Sequence, residues 1–277
     1  MAGATATAVR PPDASGAPAR VPHPAVRVLD YFLVLLRRTF RGTIFGSFVS
    51  PLLYLVAMGY GLGSLVDRGG STAMGGVPYM QFIAPGVLAA TAMQTGVFDA
   101  SWPVLGAIKW QRQYHAMLAT PIGVSDIVVG NLTAIVLRSL LSSVVFLAVA
   151  AALGAVPSAW GVVSLLAVVL VTLAYAAPMF AISAHAETDT TFNLVFRLGI
   201  VPMFLFSGTF FPVEQLPAWM HPVAYVVPLW HGATLARDAT LGTVHLAADA
   251  GHVAYLLLWI LVGGWLAIRT LRRRMVV

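Results

Sequence analysis

The chain has 277 residues, of which 59% are hydrophobic and only 9% are charged. Soluble domains carry about 25% charged residues, so this chain cannot cover itself with charge, and most of its surface must face lipid. The net charge is +6, and on a membrane protein a basic excess is first an orientation signal rather than a sign of nucleic acid. Cysteine is absent from the sequence, which excludes disulfides, thiolate metal sites and cysteine nucleophiles.

The amino-terminal part of the sequence divides into two segments. Residues 1–24 are rich in alanine, proline and glycine and contain no apolar core of signal-peptide length, so we predict a disordered, retained cytoplasmic tail. Residues 25–42 predict an amphipathic helix that lies in the membrane interface, because polar residues recur on one side of it. A plain juxtamembrane extension of the first span is the alternative. The polar side consists of Arg27, Asp30, Arg37, Arg38 and Arg41.

Six apolar segments follow, each near the roughly 20 residues that a helix needs to cross a bilayer core. They predict six transmembrane helices in an all-α integral membrane domain over residues 43–274. The segments are 43–63, 79–101, 125–152, 160–183, 193–211 and 252–270.

The basic residues predict how these helices are oriented. Six spans place both termini on one side, and that side carries twelve basic residues, against Arg68 and Arg237 on the other. The positive-inside rule therefore predicts that both termini are cytoplasmic. The alanine-rich, arginine-rich composition is typical of GC-rich bacteria, so we expect a bacterial inner membrane. The twelve are Arg10, Arg20, Arg27, Arg37, Arg38, Arg41, Lys109, Arg112, Arg269, Arg272, Arg273 and Arg274.

Two connecting segments are too regular to be simple turns. Residues 107–118 contain no helix breaker and mix charge with aromatic side chains, which predicts a short helix along the cytoplasmic surface, suited to docking a partner. Residues 212–236 are moderately apolar but interrupted by prolines, with tryptophans between them, so we predict short helices in a re-entrant outer element. Its defining residues are Pro212, Glu214, Pro217, Trp219 and Trp230.

Arg138 is the most costly residue to place in the membrane, because it lies partway along the third predicted span. Asp99, near the cytoplasmic end of the antiparallel second span, is the nearest plausible counter-ion. The alternative is that Arg138 extends to the inner headgroups without a specific partner.

The fifth predicted span carries a stripe of large side chains. At about 100° per residue these side chains fall near one meridian of a helix, so they are candidates to line a path for an amphipathic substrate. Ordinary helix packing explains the same stripe and is the preferred interpretation. The residues are Phe192, Phe196, Met203, Phe206 and Phe210.

Candidate catalytic residues are few. His185, Glu187 and Asp189 lie close together, but without a pair of cysteines they do not match a zinc deaminase signature, and a solvated cytoplasmic turn is preferred. Lys109 is the sole lysine and neither follows glycine nor precedes serine or threonine, so the sequence contains no P-loop for ATP. We therefore predict no catalytic residue, no metal site and no cofactor on this chain.

Five short stretches add a pattern that extends along the chain. In their order and positions they resemble the permease subunits of ABC-2-type exporters, in particular the branch that contains nodulation lipo-oligosaccharide exporters and daunorubicin-type drug permeases. The resemblance runs from about residue 25 to the carboxyl terminus. The stretches are Met58-Gly59-Tyr60-Gly61-Leu62-Gly63, Phe82-Ile83-Ala84-Pro85-Gly86, Met117-Leu118-Ala119-Thr120-Pro121, Phe206-Ser207-Gly208-Thr209-Phe210-Phe211-Pro212-Val213-Glu214-Gln215-Leu216-Pro217 and Pro228-Leu229-Trp230-His231.

The resemblance implies a division of labour between subunits. A separate cytoplasmic ABC ATPase would bind ATP and Mg and contact the permease through residues 25–41 and 107–118. Two copies of the permease, or this chain and a homologue, would form the pathway within membrane lipid, and residues 212–236 would cap its exit. The expected function is export of an amphipathic substrate, either a lipid-linked saccharide, a glycolipid or a hydrophobic drug. The predicted ATPase-contacting residues are Lys109, Trp110, Arg112 and Tyr114.

Two other classes of function are alternatives. An ion- or proton-coupled secondary transporter usually places ionisable groups near the midplane, whereas the acidic residues here lie in the tail, the predicted interfacial helix, loops or span ends, including Asp99 and Asp126. An integral membrane enzyme acting on lipid-linked sugars needs clustered carboxylates on one side, and the sequence offers no such set. Activity of the isolated chain would favour either alternative.

Overall fold

The computed structural model describes residues 23–63, 66 and 76–276, and the regular elements in these ranges are all helices. This confirms the prediction of an all-α protein. The predicted tail lies outside the described residues up to residue 22, as does Arg68. The helices are α1 (Pro24–Val56), α2 (Tyr79–Asp99), α3 (Trp102–Lys109), α4 (Gln113–Leu118), α5 (Val124–Ala152), α6 (Ser164–His185), α7 (Thr190–Val195), α8 (Val201–Leu205), α9 (His221–Val226), α10 (Pro228–Leu241) and α11 (Leu246–Met275).

Each of the six predicted spans overlaps a helix of the structure. Among the described residues, three stretches are long and apolar enough to cross a membrane, namely Val124–Ala152, Ala159–His185 and Leu246–Met275. Thr190–Leu205 is a shorter apolar helix. The structure therefore supports a protein with several apolar helices, and the count of six spans stays a prediction.

The first helix is longer than predicted. Residues 25–42 do not form a separate helix, because α1 runs without a break from Pro24 to Val56 and continues as a π-helical segment, Ala57–Leu62. Its first turns pack on α5, where Val28 is buried and a Cβ added to Gly130 would lie 2.6 Å from the Cγ1 atom of Val28. This continuity corresponds to the extension alternative.

Helix α6 lies at the centre of the bundle, with 67% of its most apolar window buried against 17% for α11. Close approach depends on glycine, since a Cβ added to Gly96 of α2 would lie 2.6 Å from the carbonyl oxygen of Thr172. In the same way, a Cβ on Gly263 of α11 would lie 2.6 Å from the ring of Pro178. Helices α2, α6 and α11 are therefore packed nearly backbone to backbone.

The two ends of the bundle are distinguished by the elements that meet there. At the proximal end, where α1 begins, the α3–α4 segment and the turn after α6 lie near the end of α11. At the distal end, the start of α2 meets the chain after α8 and α10. The proximal end is the one predicted to be cytoplasmic.

The predicted single surface helix over residues 107–118 is wrong. The chain forms α3 and α4 instead, and they are separated by Arg112, which has a left-handed backbone with φ of 49°. Helix α3 ends where the backbone amides of Trp110 and Gln111 both donate to the carbonyl oxygen of Gly106. The change of direction at Arg112 then allows α4 to turn Tyr114 into the core.

The fifth predicted span is also interrupted. Helices α7 and α8 are joined by a π-helical segment, Phe196–Ile200, and the helix ends at Leu205. The chain then bends through Gly208, whose φ is 70°. A π-helix has more residues per turn than an α-helix, so the predicted stripe does not follow one helical meridian. Phe206 and Phe210 lie beyond the end of the helix.

Residues 212–236 form a series of short helices, as predicted. Two 3₁₀ turns, Val213–Gln215 and Ala218–Met220, precede α9, and α10 continues to Leu241. A proline precedes each 3₁₀ turn and lies in the first turn of α9 and of α10, because proline lacks an amide proton and is tolerated in a first helical turn. Re-entry of this element into the bilayer stays a prediction.

Candidate functional site

The proximal segment between α3 and α4 presents two of the predicted contact residues to the outside. The indole of Trp110 is exposed, since 68% of the residue is accessible, and Arg112 beside it is exposed as well. Arg112 is the one residue other than glycine with positive φ among those described. A left-handed backbone at such a residue is disfavoured by roughly 1–2 kcal/mol, so the packing on both sides must hold it in place.

Tyr114 is one of these anchors and is not on the surface. Its side chain is completely buried, its ring stacks on Phe180 at 6.3 Å, and its hydroxyl accepts a hydrogen bond of 3.0 Å from Nδ2 of Asn131. Burial raises the pKa of the Tyr114 hydroxyl, which therefore stays neutral. The prediction that Tyr114 contacts a partner does not fit this position, and the residue instead holds α4 against α5 and α6.

Lys109 is the second anchor. Its ammonium group lies 3.0 Å from Oε2 of Glu187, in the turn after α6, and also donates to the backbone carbonyl of Glu187. The hydrogen bond from Lys109 and the charges of Lys109 and Arg274 lower the pKa of Glu187. Glu187 is therefore ionised at neutral pH. Lys109 thus connects the proximal segment to the rest of the chain.

Arg274 near the end of α11 holds the same turn from the other side. Its Nη1 donates to the carbonyl oxygens of Ala184 and Ala186 at 2.9 and 2.8 Å, and its Nη2 lies 3.5 Å from Oε1 of Glu187. A cation at a helix carboxyl terminus satisfies carbonyls that have no partner within the helix. The sequence predicts a solvated turn at Glu187 and gives no sign of this cluster, because nothing in it pairs Lys109 with a residue 78 positions away.

The buried hydrogen bond at Tyr114 gives a stability prediction. We expect Tyr114→Phe to lower the free energy of unfolding by about 1–3 kcal/mol, because Nδ2 of the buried Asn131 loses its partner. Adding Asn131→Leu is expected to restore part of the loss. Thermal unfolding of the purified protein in detergent measures both, with Tyr225→Phe at an exposed site as the control. An unchanged unfolding midpoint for Tyr114→Phe would contradict the anchor role.

Arg138 and Asp99 form an ion pair between α5 and α2. Nη1 of Arg138 lies 3.0 Å from Oδ1 and 3.1 Å from Oδ2 of Asp99, and the side chains are 25% and 19% exposed. Of the two arrangements considered from the sequence, the structure contains the paired one. Charge-assisted hydrogen bonds to both carboxylate oxygens fix the two helices relative to each other at this point.

The predicted stripe divides into two parts in the structure. Phe192 is fully buried and packs against Trp102 with ring centroids 5.1 Å apart, and Phe196 lies 5.3 Å from the same indole. These two residues therefore pack within the chain, as the packing interpretation predicts. Met203 and Phe206 line an open apolar cavity of about 440 Å³ beside α9.

Phe210 belongs to the distal end rather than to that cavity. Its ring packs against Phe204 and Tyr54, with centroids 5.0 and 5.8 Å away, and its carbonyl oxygen accepts a weak 3.5 Å contact from the hydroxyl of Tyr79. Phe210 thus joins α8 to α1 and α2. The five residues of the stripe do not form one continuous surface.

The outer element has an exposed part and a packed part. Trp219, Glu214 and Pro217 are exposed and Pro212 is half-buried. Trp230 packs against Tyr225 and His252, with ring centroids 4.7 and 5.0 Å away. The predicted element is therefore anchored at its α10 end.

Arg237 is a distal residue that sequence analysis counted only as a charge. Its Nη2 donates to the carbonyl oxygen of Gly208 at 3.1 Å and its Nε to that of Phe82 at 3.4 Å. The guanidinium lies 3.9 Å from the ring centroid of Phe82. Arg237 thus ties α10 to the start of α2 and to the bend after α8.

Comparison with known proteins agrees with this architecture. The sequence profile of the ABC-2 type transporter family matches residues 28–241. The chain belongs to the ABC-2 type transporter family. The match runs from the first turns of α1 to the end of α10, and it confirms the resemblance found in the five short stretches.

Curated relatives of this ABC-2 permease cover most of its length. It is 33% identical over 234 residues to Nodulation protein J of Rhizobium leguminosarum bv. trifolii, covering 84% of this chain and 87% of the relative. Nodulation protein J of Rhizobium meliloti (strain 1021) is 32% identical over 235 residues, with 84% and 87% covered. Inner membrane transport permease YadH of Escherichia coli (strain K12) is 25% identical over 236 residues, with 79% and 87% covered.

The family settles the class of the protein. The chain is a transmembrane permease subunit, located in a membrane, and it is a transport subunit rather than an enzyme. The exposed proximal segment and the cavity beside α9 are therefore parts of a transport protein.

Proposed function

We propose that this permease belongs to an ATP-driven exporter that moves an amphipathic substrate out of the cytoplasm or the inner leaflet. A separate cytoplasmic ABC ATPase binds ATP and Mg, and the permease has no catalytic residue of its own. The substrate is a lipid-linked saccharide, a glycolipid or a hydrophobic drug, as the resemblance to the nodulation and drug-permease branch implies. The observation that carries this proposal is the exposed turn between α3 and α4, which contains Trp110 and Arg112. Lys109 anchors this turn on one side and Tyr114 on the other.

An exposed tryptophan beside an exposed arginine is typical of a protein contact. Tryptophan and arginine are the residues most enriched among those that dominate binding energy. Trp110 and Arg112 lie between two anchors, Lys109 and Tyr114, and the backbone of Arg112 is disfavoured, so both positions are fixed before a partner arrives. Fixed contact residues lose little entropy on binding. This arrangement suits the docking of the ATPase.

The proposed orientation places the proximal end in the cytoplasm. Arg269, Arg272 and Arg273 near the end of α11 are exposed there, in keeping with the positive-inside rule. Both termini are then cytoplasmic, in the inner membrane of a bacterial cell. The ATPase reaches the proximal segment from this side.

The pathway forms between two permeases, which are two copies of this chain or this chain and a homologue. Exposed apolar side chains on α7, the π-helical segment and α8 leave a face of the chain open to lipid or to a second permease, namely Leu194, Leu198 and Val201. The cavity beside α9 is lined by apolar side chains, which is compatible with an amphipathic cargo.

Binding of the ATPase tests the proposal. We expect Trp110→Ala to weaken association of the permease with its ABC ATPase by roughly 30-fold, since loss of a dominant contact costs about 2 kcal/mol. Arg112→Ala is expected to act in the same direction. Association is measured by microscale thermophoresis of the two purified subunits in nanodiscs, and ATP turnover of the complex in liposomes is recorded in parallel.

Trp160→Ala is the matched control, because Trp160 is similarly exposed but lies in the 3₁₀ turn before α6, at the distal end. We expect this variant to bind the ATPase like the unmodified permease. If no ATPase associates with the unmodified permease, the proposal fails. Substrate movement by the isolated chain, driven by an ion gradient alone, would instead support a secondary transporter.

A further inference from the structure

The turn between α6 and α7 is held by cations from two other elements. Lys109 of α3 and Arg274 of α11 both contact the carboxylate of Glu187, at 3.0 and 3.5 Å. Arg274 also binds the last carbonyls of α6, so it fixes the turn to the bundle. Lys109 belongs to the segment proposed to bind the ATPase. Glu187 is thus the point at which that segment contacts the turn between α6 and α7.

Helix α3 contacts the same region a second time. Trp102 is the first residue of α3, and it packs against the buried Phe192, which lies five positions after Glu187. Both ends of α3 therefore contact the stretch that begins α7. Because α3 contacts this stretch at both ends, a rotation of α3 displaces the start of α7 as well as a translation does. These two contacts connect α3 to the start of α7, which leads into the π-helical segment.

The Glu187 contacts are weak enough to rearrange. The side chain of Glu187 is 76% exposed and that of Lys109 is 36% exposed. Exposed ion pairs contribute little to stability, because water and salt screen them. Loss of this pair therefore leaves the fold intact, and a large effect on coupling cannot be attributed to unfolding.

We propose that Glu187 is a positioning residue that transmits displacement of the α3–α4 segment to helix α7. The proposal rests on the proposed function, because it assumes that the ATPase moves this segment. Lys109 acts from within the chain rather than as a contact with the ATPase. Arg274 keeps the turn attached to α6 while Lys109 moves it.

The test follows α7–α8 directly in the complete permease–ATPase complex. The sequence contains no cysteine, so Leu198→Cys, at an exposed position in the π-helical segment, provides a single site on the permease for a bimane fluorophore. The labelled permease is assembled with a cysteine-free ATPase in nanodiscs. The change in bimane emission between the nucleotide-free complex and the complex trapped with ATP and vanadate is then measured.

In this labelled permease, Glu187→Gln is expected to reduce the trapping-dependent emission change roughly fivefold or more, in line with typical coupling between sites. Asp189→Asn, which removes the same charge two positions later, is expected to leave it unchanged. The thermal unfolding midpoint is expected to stay within error for both variants. Association with the ATPase is also expected to be retained, because in Glu187→Gln the ammonium group of Lys109 still donates to the backbone carbonyl of residue 187. An equal emission change in Glu187→Gln and the unmodified complex overturns the proposal, as does an absent change in an unmodified complex that hydrolyses ATP.

A double-mutant comparison tests the role of Lys109. Lys109→Gln is expected to cause a loss similar to that of Glu187→Gln, and the two together no greater loss than either alone, because both remove the Lys109–Glu187 ion pair. Lys109→Arg, which keeps the charge, is expected to retain most of the change. Losses that multiply in the double variant overturn the proposal. If the unmodified subunits do not associate at all, the proposed function fails instead.

Discussion

Asp99→Leu is expected to destabilise the permease by about 3–5 kcal/mol, because it leaves the guanidinium of Arg138 in an apolar bundle without its partner. Arg138→Leu is expected to destabilise it less. A carboxyl left alone can take up a proton and become neutral, whereas a guanidinium cannot release one. The free energy of unfolding is measured by denaturant titration of the purified protein in mild detergent.

The double variant Asp99→Leu plus Arg138→Leu distinguishes the effect of an unpaired charge from the effect of altered side-chain packing. Replacing both charges with apolar groups of similar volume is often neutral, so we expect the double variant to be more stable than Asp99→Leu alone. Arg197→Leu is the control, because Arg197 lies in an apolar helix but is exposed. Equal losses for Arg138→Leu and Arg197→Leu would show that the ion pair contributes nothing specific.

Gly263→Leu is expected to destabilise the packing of α11 on α6 by about 3 kcal/mol, because even a Cβ at this position lies 2.6 Å from the ring of Pro178. The ring cannot move aside, since its nitrogen belongs to the backbone of α6 and would lie only 2.8 Å from that Cβ. The effect is measured by thermal unfolding in detergent. The readout is the amount of monodisperse protein that remains after heating.

Gly264→Leu provides the matched comparison at the next position of the same helix. A Cβ added to Gly264 meets nothing within 4 Å, so we expect the free energy of unfolding to change by less than about 1 kcal/mol. The better helix propensity of leucine offsets part of any loss. Two variants of the same composition then differ only in the direction of one side chain. Similar unfolding midpoints for both would show that α11 does not approach α6 as closely as described.

Hydropathy is sufficient to locate most of this fold. Lipid imposes apolar segments of fixed length, so the segments at 125–152, 160–183 and 252–270 predict α5, α6 and most of α11 within a few residues. Asp99 and Arg138 could be linked for a similar reason, because two charges at corresponding depths of adjacent antiparallel spans have few other partners.

Local irregularities could not be predicted in this way. Arg112 adopts a left-handed backbone that glycine or asparagine usually signals, and its sequence neighbours carry no such signal. The π-helical segment after α7 changes the direction of the stripe without any proline or glycine pattern that marks its start. The turn at Arg112 depends on the packing of Tyr114 against α5 and α6, which a single sequence does not contain.

For the segment between α3 and α4, the sequence indicates where a contact surface could lie, but it does not indicate the role of each side chain. Trp110 and Arg112 are exposed, as a contact surface requires, while Tyr114 is buried and Lys109 is engaged by Glu187. A mixed charged and aromatic segment is equally typical of exposed and of anchoring side chains. The difference is decided by whether α5 and α6 offer a cavity for the ring, as they do for Tyr114 beside Phe180.

The contacts of Arg237 determine how the distal end can move. They join α10, the start of α2 and the bend at Gly208, so these three pieces form one block rather than a hinged flap. The guanidinium is held by two backbone carbonyls and an aromatic ring, of which one carbonyl and the ring belong to Phe82 and the other carbonyl to Gly208. Any opening at the distal end has to displace the three parts of this block together.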